Sequence, residues 1–256
     1  MKTIINKQLL HKILREVFLC KFFLVTSVLI TFSITASAQK TNNIAIGYLE
    51  NYEKLPKIKL EQTTEAEYNK YKISGKPDLL KIKETETHFT LPTKVKKIKL
   101  KKTNGALNDF DGYEYLGYYP KLKMYAITDN SIADNLTFST FVLIDSLTAQ
   151  DYSIVSIGDG AVETPIQSIN SNYLLYYYNR PYRGDGCFIG LLAINKNGRP
   201  QHRFKEKMSF NFESKGFSVE GIKWVDDKSF IAKTYVTKIV DNKSVKEFSF
   251  YKAIIN

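Results

Sequence analysis

Apolar residues along the chain come in short runs divided by polar turns, and that spacing predicts strands. Residues 141–145 are followed by Ser-Leu-Thr-Ala-Gln-Asp and then by the apolar-rich 152–157. Residues 190–194 run into Asn195-Lys196-Asn197-Gly198, a strong turn signal, and then into 201–204. Residues 222–225 meet Asp226-Asp227-Lys228 before 230–236, and Ile239-Val240 meets a polar turn before 245–255 closes the chain. Strand, turn and strand, repeated in this way, predict an all-β fold, mainly antiparallel. The two clearest units begin at Phe141 and Gly190, 49 residues apart, which is within the period of propeller blades. The expected architecture is therefore a partial propeller-like or sandwich-like domain.

The pattern changes toward the N-terminus. In residues 62–72, Thr64 with Glu67 three places on makes a capping box, and Tyr68 and Tyr71 share one helical face, so one short N-terminal helix is predicted. Residues 88–91 and the alternating 95–100 predict a hairpin around Pro92. The segments 39–61 and 73–87 are polar, Lys- and Glu-rich, and are expected to be partly mobile. The expected division is a signal peptide over 1–38, a polar N-terminal segment with a short helix over 39–87, and a β domain over 88–256.

The signal-peptide expectation rests on three features. Lys2, Lys7, Lys12, Arg15 and Lys21 make a positive leading region; residues 22–35 form an uncharged run of 14; Ala36-Ser37-Ala38 supplies the small-x-small cleavage pattern before Gln39. The uncharged run is shorter than the ~20 residues a membrane span needs. An uncleaved N-terminal anchor is the alternative, and only then is membrane contact expected. The expected localisation is the periplasm or the cell surface.

Cleavage changes the charge. Five of the 37 basic and one of the 26 acidic side chains leave with the signal, so 32 face 25 and the net charge is +7. The remaining excess is lysine; the arginines are only Arg180, Arg183, Arg199 and Arg203. Bidentate phosphate and base contacts favour arginine, so no nucleic-acid partner is expected. Cys20 also leaves, so Cys187 has no partner for an internal disulfide and is expected to be a buried small hydrophobe beside Phe188 and Ile189.

Residues 113–127 (YEYLGYYPKLKMYAI), the strand and turn from Phe141, and Ile222-Lys223-Trp224-Val225-Asp226 together resemble a group of exported bacterial proteins of unknown function with β-propeller-like hairpins. The resemblance covers about half the chain. In that group the segment matching Thr164-Pro165-Ile166 continues into a Ser-Pro-Asp-Gly turn, whereas here Gln167-Ser168-Ile169-Asn170 follows. The resemblance implies a fold and brings no activity.

Candidate chemistry is sparse. After cleavage only His88 and His202 remain, no Gly-x-Ser-x-Gly elbow is present, and a zinc site would need every available ligand. No cofactor or metal is expected. Paired carboxylates are the better enzymatic lead, because a glycosidase needs only two. Asp109, Asp111 and Glu114 cluster beside a Tyr-rich stretch that could stack on a sugar. The same letters suit the start of a calcium loop, but Tyr119 stands where such a loop ends in Glu. An acidic turn entering a strand accounts for them more simply.

Arg183-Gly184-Asp185 spells an adhesion tripeptide, in a segment rich in turn formers: Asn179-Arg180-Pro181 before it, Gly186 after it. The backbone demands of a turn explain those letters, and Asp185→Glu is expected to leave stability unchanged. Arg180, Tyr182 and Arg183 remain candidate contacts for an acidic or glycan partner. The functional expectation is an exported, non-catalytic binding or structural protein whose partner is an unknown protein or glycan of the cell envelope. A protein that sequesters a toxin or a hydrolase is one version. The alternative is a carbohydrate-active hydrolase using paired carboxylates.

Overall fold

The computed structural model describes residues 43–105, 109–180, 184–211 and 216–255. The signal-peptide region, Tyr182 and Arg183 lie outside the described residues. From Lys83 onward the alternating runs fold into four antiparallel sheets in chain order. The first holds β3 (Lys83–Glu84), β4 (His88–Pro92) and β5 (Lys97–Lys101). The second holds β6 (Gly112–Tyr119), β7 (Met124–Ala133), β8 (Leu136–Asp145) and β9 (Asp151–Ile154). The third holds β10 (Ile166–Gln167), β11 (Tyr173–Asn179), β12 (Cys187–Ile194) and β13 (Phe204–Asn211). The fourth holds β14 (Ser218–Trp224), β15 (Ser229–Val240) and β16 (Lys243–Ile254).

Side-chain alternation decides how these sheets pack. On β11, Leu174, Tyr176 and Tyr178 point to one face and Leu175 and Tyr177 to the other. The first face meets Met124, Phe141 and Leu143 of the second sheet; the other meets Ile222, Trp224 and Phe230 of the fourth. A third apolar layer joins Phe89 and Leu91 of the first sheet to Tyr125, Ile127, Val142 and Ile144 of the second. The sheets therefore stack face to face in sequence order. Among the described residues no apolar cluster joins the fourth sheet to the first, so the stack is open. The two inner sheets are apolar on both faces, which is why β12 reads as an unbroken run, CFIGLLAI.

The polar N-terminal segment is not a separate region. β1 (Ile44–Ile46) pairs in parallel with β9, and β2 (Leu60–Thr63) pairs antiparallel with β16. Between them Ile58 donates its amide to the Ser209 carbonyl of β13 at 2.8 Å. The chain then returns along opposite edges: Gln167 of β10 donates to the Gly75 carbonyl at 2.8 Å, and Asp78 exchanges two bonds of 2.8 Å with Tyr118 of β6. This strap covers edges of the second, third and fourth sheets. Edge pairing uses backbone groups and needs no apolar period, so Lys- and Glu-rich sequence serves. The boundary expected at residue 88 therefore falls inside the folded unit.

The predicted helix forms as α2 (Glu65–Asn69), with Thr64 Oγ1 accepting from the Glu67 amide at 3.2 Å. It lays Tyr68 against Ile231 and Phe250 on the outer face of the fourth sheet. A second short helix, α1 (Leu49–Glu53), buries Tyr52 against the inner core. The hairpin around Pro92 is β4–β5, closed by Thr93 and Lys96.

Candidate functional site

The acidic cluster singled out in the sequence does not converge. Asp109 accepts from Lys101 Nζ at 3.0 Å and from Asn104, and those bonds hold its carboxyl below the usual carboxylate range. Asp111 accepts the Ile132 amide at 2.8 Å and so caps the end of β7. Glu114 stands exposed on β6 opposite Thr128. Two of the three carboxylates are therefore spent on local structure. Among the described residues no group of three His, Cys, Asp or Glu side chains could hold a metal ion.

The Arg-Gly-Asp loop also has internal work. Arg180 donates its amide to the Gly186 carbonyl at 2.9 Å and its guanidinium to Asn211 Oδ1 at 3.2 Å. Gly184 has φ +78°, a backbone that strains any L side chain. Asp185 Oδ2 accepts the Thr237 amide at 2.6 Å, while Oδ1 takes the Thr237 and Ser218 hydroxyls at 3.3 and 3.4 Å. The acid of the tripeptide is thus turned onto the edge of β15. The expectation that Asp185→Glu leaves stability unchanged rests on the residue lying outside the strands; that premise is corrected, since its carboxylate caps β15 backbone that the strand ladder leaves unpaired. Cys187 is fully buried and free, as expected, and burial pushes its thiol up to about 12.

A different set of side chains has unspent capacity. The loop from β9 to β10 is fixed at both ends, where Ser139 donates its amide to the Asp159 carbonyl at 2.8 Å and Glu163 donates to the Tyr177 carbonyl at 2.9 Å. It forms one wall of a cleft of 480 Å³. The rest comes from Asn135 in the β7–β8 turn, from Thr137 and Ser139 on β8, and from Tyr178 and Asn179 at the end of β11. Asp159 and Glu163 both line it. Among the described residues no donor bonds either carboxylate.

Glu163 also lines a second cleft of 310 Å³, on the side of the fourth sheet. Lys223 lies there, buried, with its ammonium 3.9 Å from the Tyr68 ring centre and donating to the Tyr68 carbonyl at 3.2 Å. Tyr177, Glu220 and Lys233 also line it. Burial, followed by the nearby Glu163 and Glu220 carboxylates, pushes the Tyr177 hydroxyl well above its ordinary range. Outside this cleft Lys246 pairs with Glu220 at 2.8 Å and sits 4.0 Å over the Tyr235 ring.

Adjacent tyrosines on one strand explain the paired clefts. Tyr178 faces the second sheet and Tyr177 the fourth, so one short stretch of β11 serves both. In the sequence the Tyr-rich run 173–178 reads as a strand with tyrosines on both faces and does not by itself mark a site. Asp159 and Glu163 carried no signal, because they sit in an aperiodic loop that only the fold carries to the end of β11. No family model, curated protein or solved structure matches the chain. Among the described residues no helix is long and apolar enough to cross a membrane.

Proposed function

We propose that the protein is an exported, non-catalytic binding module of the bacterial envelope, and that its ligand is a glycan held in the clefts on either side of Glu163. Export rests on the N-terminal charge, apolar run and Ala36-Ser37-Ala38 pattern. One observation carries the site: the Asp159 and Glu163 carboxylates accept nothing from the described residues, although those of Asp109, Asp111, Asp185 and Asp227 are all bonded internally. Carboxylates with open acceptor positions beside the exposed Asn135 suit a ligand rich in hydroxyl donors. The 480 Å³ cleft is in the ordinary range of ligand sites.

A second reading is favoured by the same pair. Two carboxylates lining one cleft are what a glycoside hydrolase needs, so that alternative moves from Asp109, Asp111 and Glu114 to Asp159 and Glu163. Incubating the purified protein with muropeptides and neutral oligosaccharides separates the two. The binding reading expects retention of a sugar with no new reducing ends. Release of reducing ends that Glu163→Gln abolishes would establish the hydrolase, and neither retention nor turnover would remove both readings.

A further inference from the structure

β15 and β16 each run for 12 residues, but their neighbours are shorter. β14 stops pairing at Tyr235 and β2 begins at Phe250, so residues 236–249 form a two-stranded ribbon beyond the sheet. A two-residue turn at Asp241 and Asn242, with φ 50° and 59°, closes it. Ile239, Val240, Val245 and Phe248 are exposed along it. Its two edges differ. On the β15 side Asp185 accepts the Thr237 amide at 2.6 Å. On the β16 side no described strand pairs with residues 243–249. An open strand edge is a template for another strand.

We propose that this edge of β16 pairs antiparallel with the same edge of a second copy, about a two-fold axis through Val245. A two-fold axis perpendicular to the sheet keeps side chains on their own face, so the axis must pass through a residue. Centred on Lys246 it would oppose two lysines, and centred on Glu247 two glutamates. Centred on Val245 it opposes Val245 to its own copy and sets Lys243 against Glu247 of the second copy, twice. Glu247 already pairs with Lys238 of its own ribbon, so each glutamate would lie between two lysines. In this register the turn residue Asp241 of the second copy falls opposite Ser249, the last position before β2 takes over the edge. The whole free edge is then filled, and the fourth sheet continues across the axis.

Sedimentation velocity of the purified protein across micromolar concentrations should show a dimer. Glu247→Lys sets lysine against lysine at both positions and should weaken the dimer at least tenfold. Adding Lys243→Glu to it restores opposite charges and should restore the dimer. Val245→Cys should cross-link to a covalent dimer on mild oxidation, because the two thiols meet on the axis while Cys187 is buried. Circular dichroism checks that each variant is folded. A wild-type protein that remains monomeric, a charge swap that fails to restore association, or a Val245→Cys protein that stays monomeric under oxidation would each overturn the proposal.

Discussion

Gly190 on β12 stands opposite Tyr176 on β11, and adding one methyl there tests whether the inner core is as tight as described. A Cβ at Gly190 would lie 2.4 Å from Tyr176 Cζ, 2.6 Å from its hydroxyl oxygen and 2.7 Å from Cε1. Carbon contacts need ~3.5–4.0 Å, so the ring would have to retreat by roughly 1 Å. It has nowhere to go: Tyr176 is fully buried, with its hydroxyl 3.4 Å from the Gly47 carbonyl oxygen and 3.3 Å from the Tyr52 hydroxyl. Overpacking costs about 1–3 kcal/mol, and each lost hydrogen bond about 1 kcal/mol. Gly190→Ala should therefore destabilise by about 3 kcal/mol, lowering Tm by roughly 6–12 °C for a chain of this size. Trp224, the single tryptophan, is buried between the third and fourth sheets and reports unfolding by fluorescence. Gly160→Ala is the control: its Cβ meets only Tyr178 Cε2, at 3.9 Å, and it should stay within ~0.5 kcal/mol of the parent. In a Tyr176→Leu background the cost of Gly190→Ala should fall below about 1 kcal/mol, because the clashing ring is gone. An unchanged Tm for Gly190→Ala, or the same loss in both backgrounds, would refute the reasoning.

Three further outcomes follow from side chains with assigned partners. Asp185→Ala should cost about 1–2 kcal/mol in the urea midpoint and speed exchange of the Thr237 amide, and no change in either would refute its role on the β15 edge. Burial alone would raise the Asp227 carboxyl, but bonds from Ser168, the Asn170 amide and Asn172, aided by Lys196, hold it below its ordinary value. Its contribution is therefore present above the unfolded pKa near ~3.9 and is lost as pH falls through the lower folded value. Asp227→Asn should flatten the stability profile in that acid window, and a profile superimposable on the parent would refute this. Cys187 should react with a thiol reagent only at the rate of unfolding, and rapid labelling of the native protein would contradict its burial.

Much of the fold was legible because alternation and turn chemistry act locally. Residues 141–145, 190–194 and 222–224 are strands because each is a short apolar run bounded by polar turns, as suits a sheet buried on both faces. Thr64 and Glu67 gave a helix start for the same local reason. What escaped was non-local. β1, at three residues, is too short and β2 too polar to announce itself, and both exist because β9 and β16 offer unpaired backbone. The turn at Asp134 and Asn135, with φ 51° and 62°, joins β7 to β8 without the glycine that usually flags such a hairpin, so β8 begins earlier than its apolar run suggests. For the site, the sequence pointed to acids at 109–114 by proximity in the chain. Proximity made Asp109 and Asp111 useful to local structure, and local use is what removes a carboxylate from recognition. Asp159 and Glu163 stay available because their loop is held by backbone bonds instead.

The most direct test of the central claim compares sugar binding by variants of the two acidic sets. Isothermal titration of muropeptides into the parent, Asp159→Asn, Glu163→Gln, Asp109→Asn and Glu114→Gln asks which carboxylates touch the ligand. The account predicts that Asp159→Asn and Glu163→Gln each weaken binding by about tenfold or more, at the ~1.5–3 kcal/mol of a hydrogen bond to a charged group. Asp109→Asn and Glu114→Gln should leave it unchanged. Full binding by Glu163→Gln, with loss in Asp109→Asn or Glu114→Gln, would contradict the account and return the site to the loop before β6.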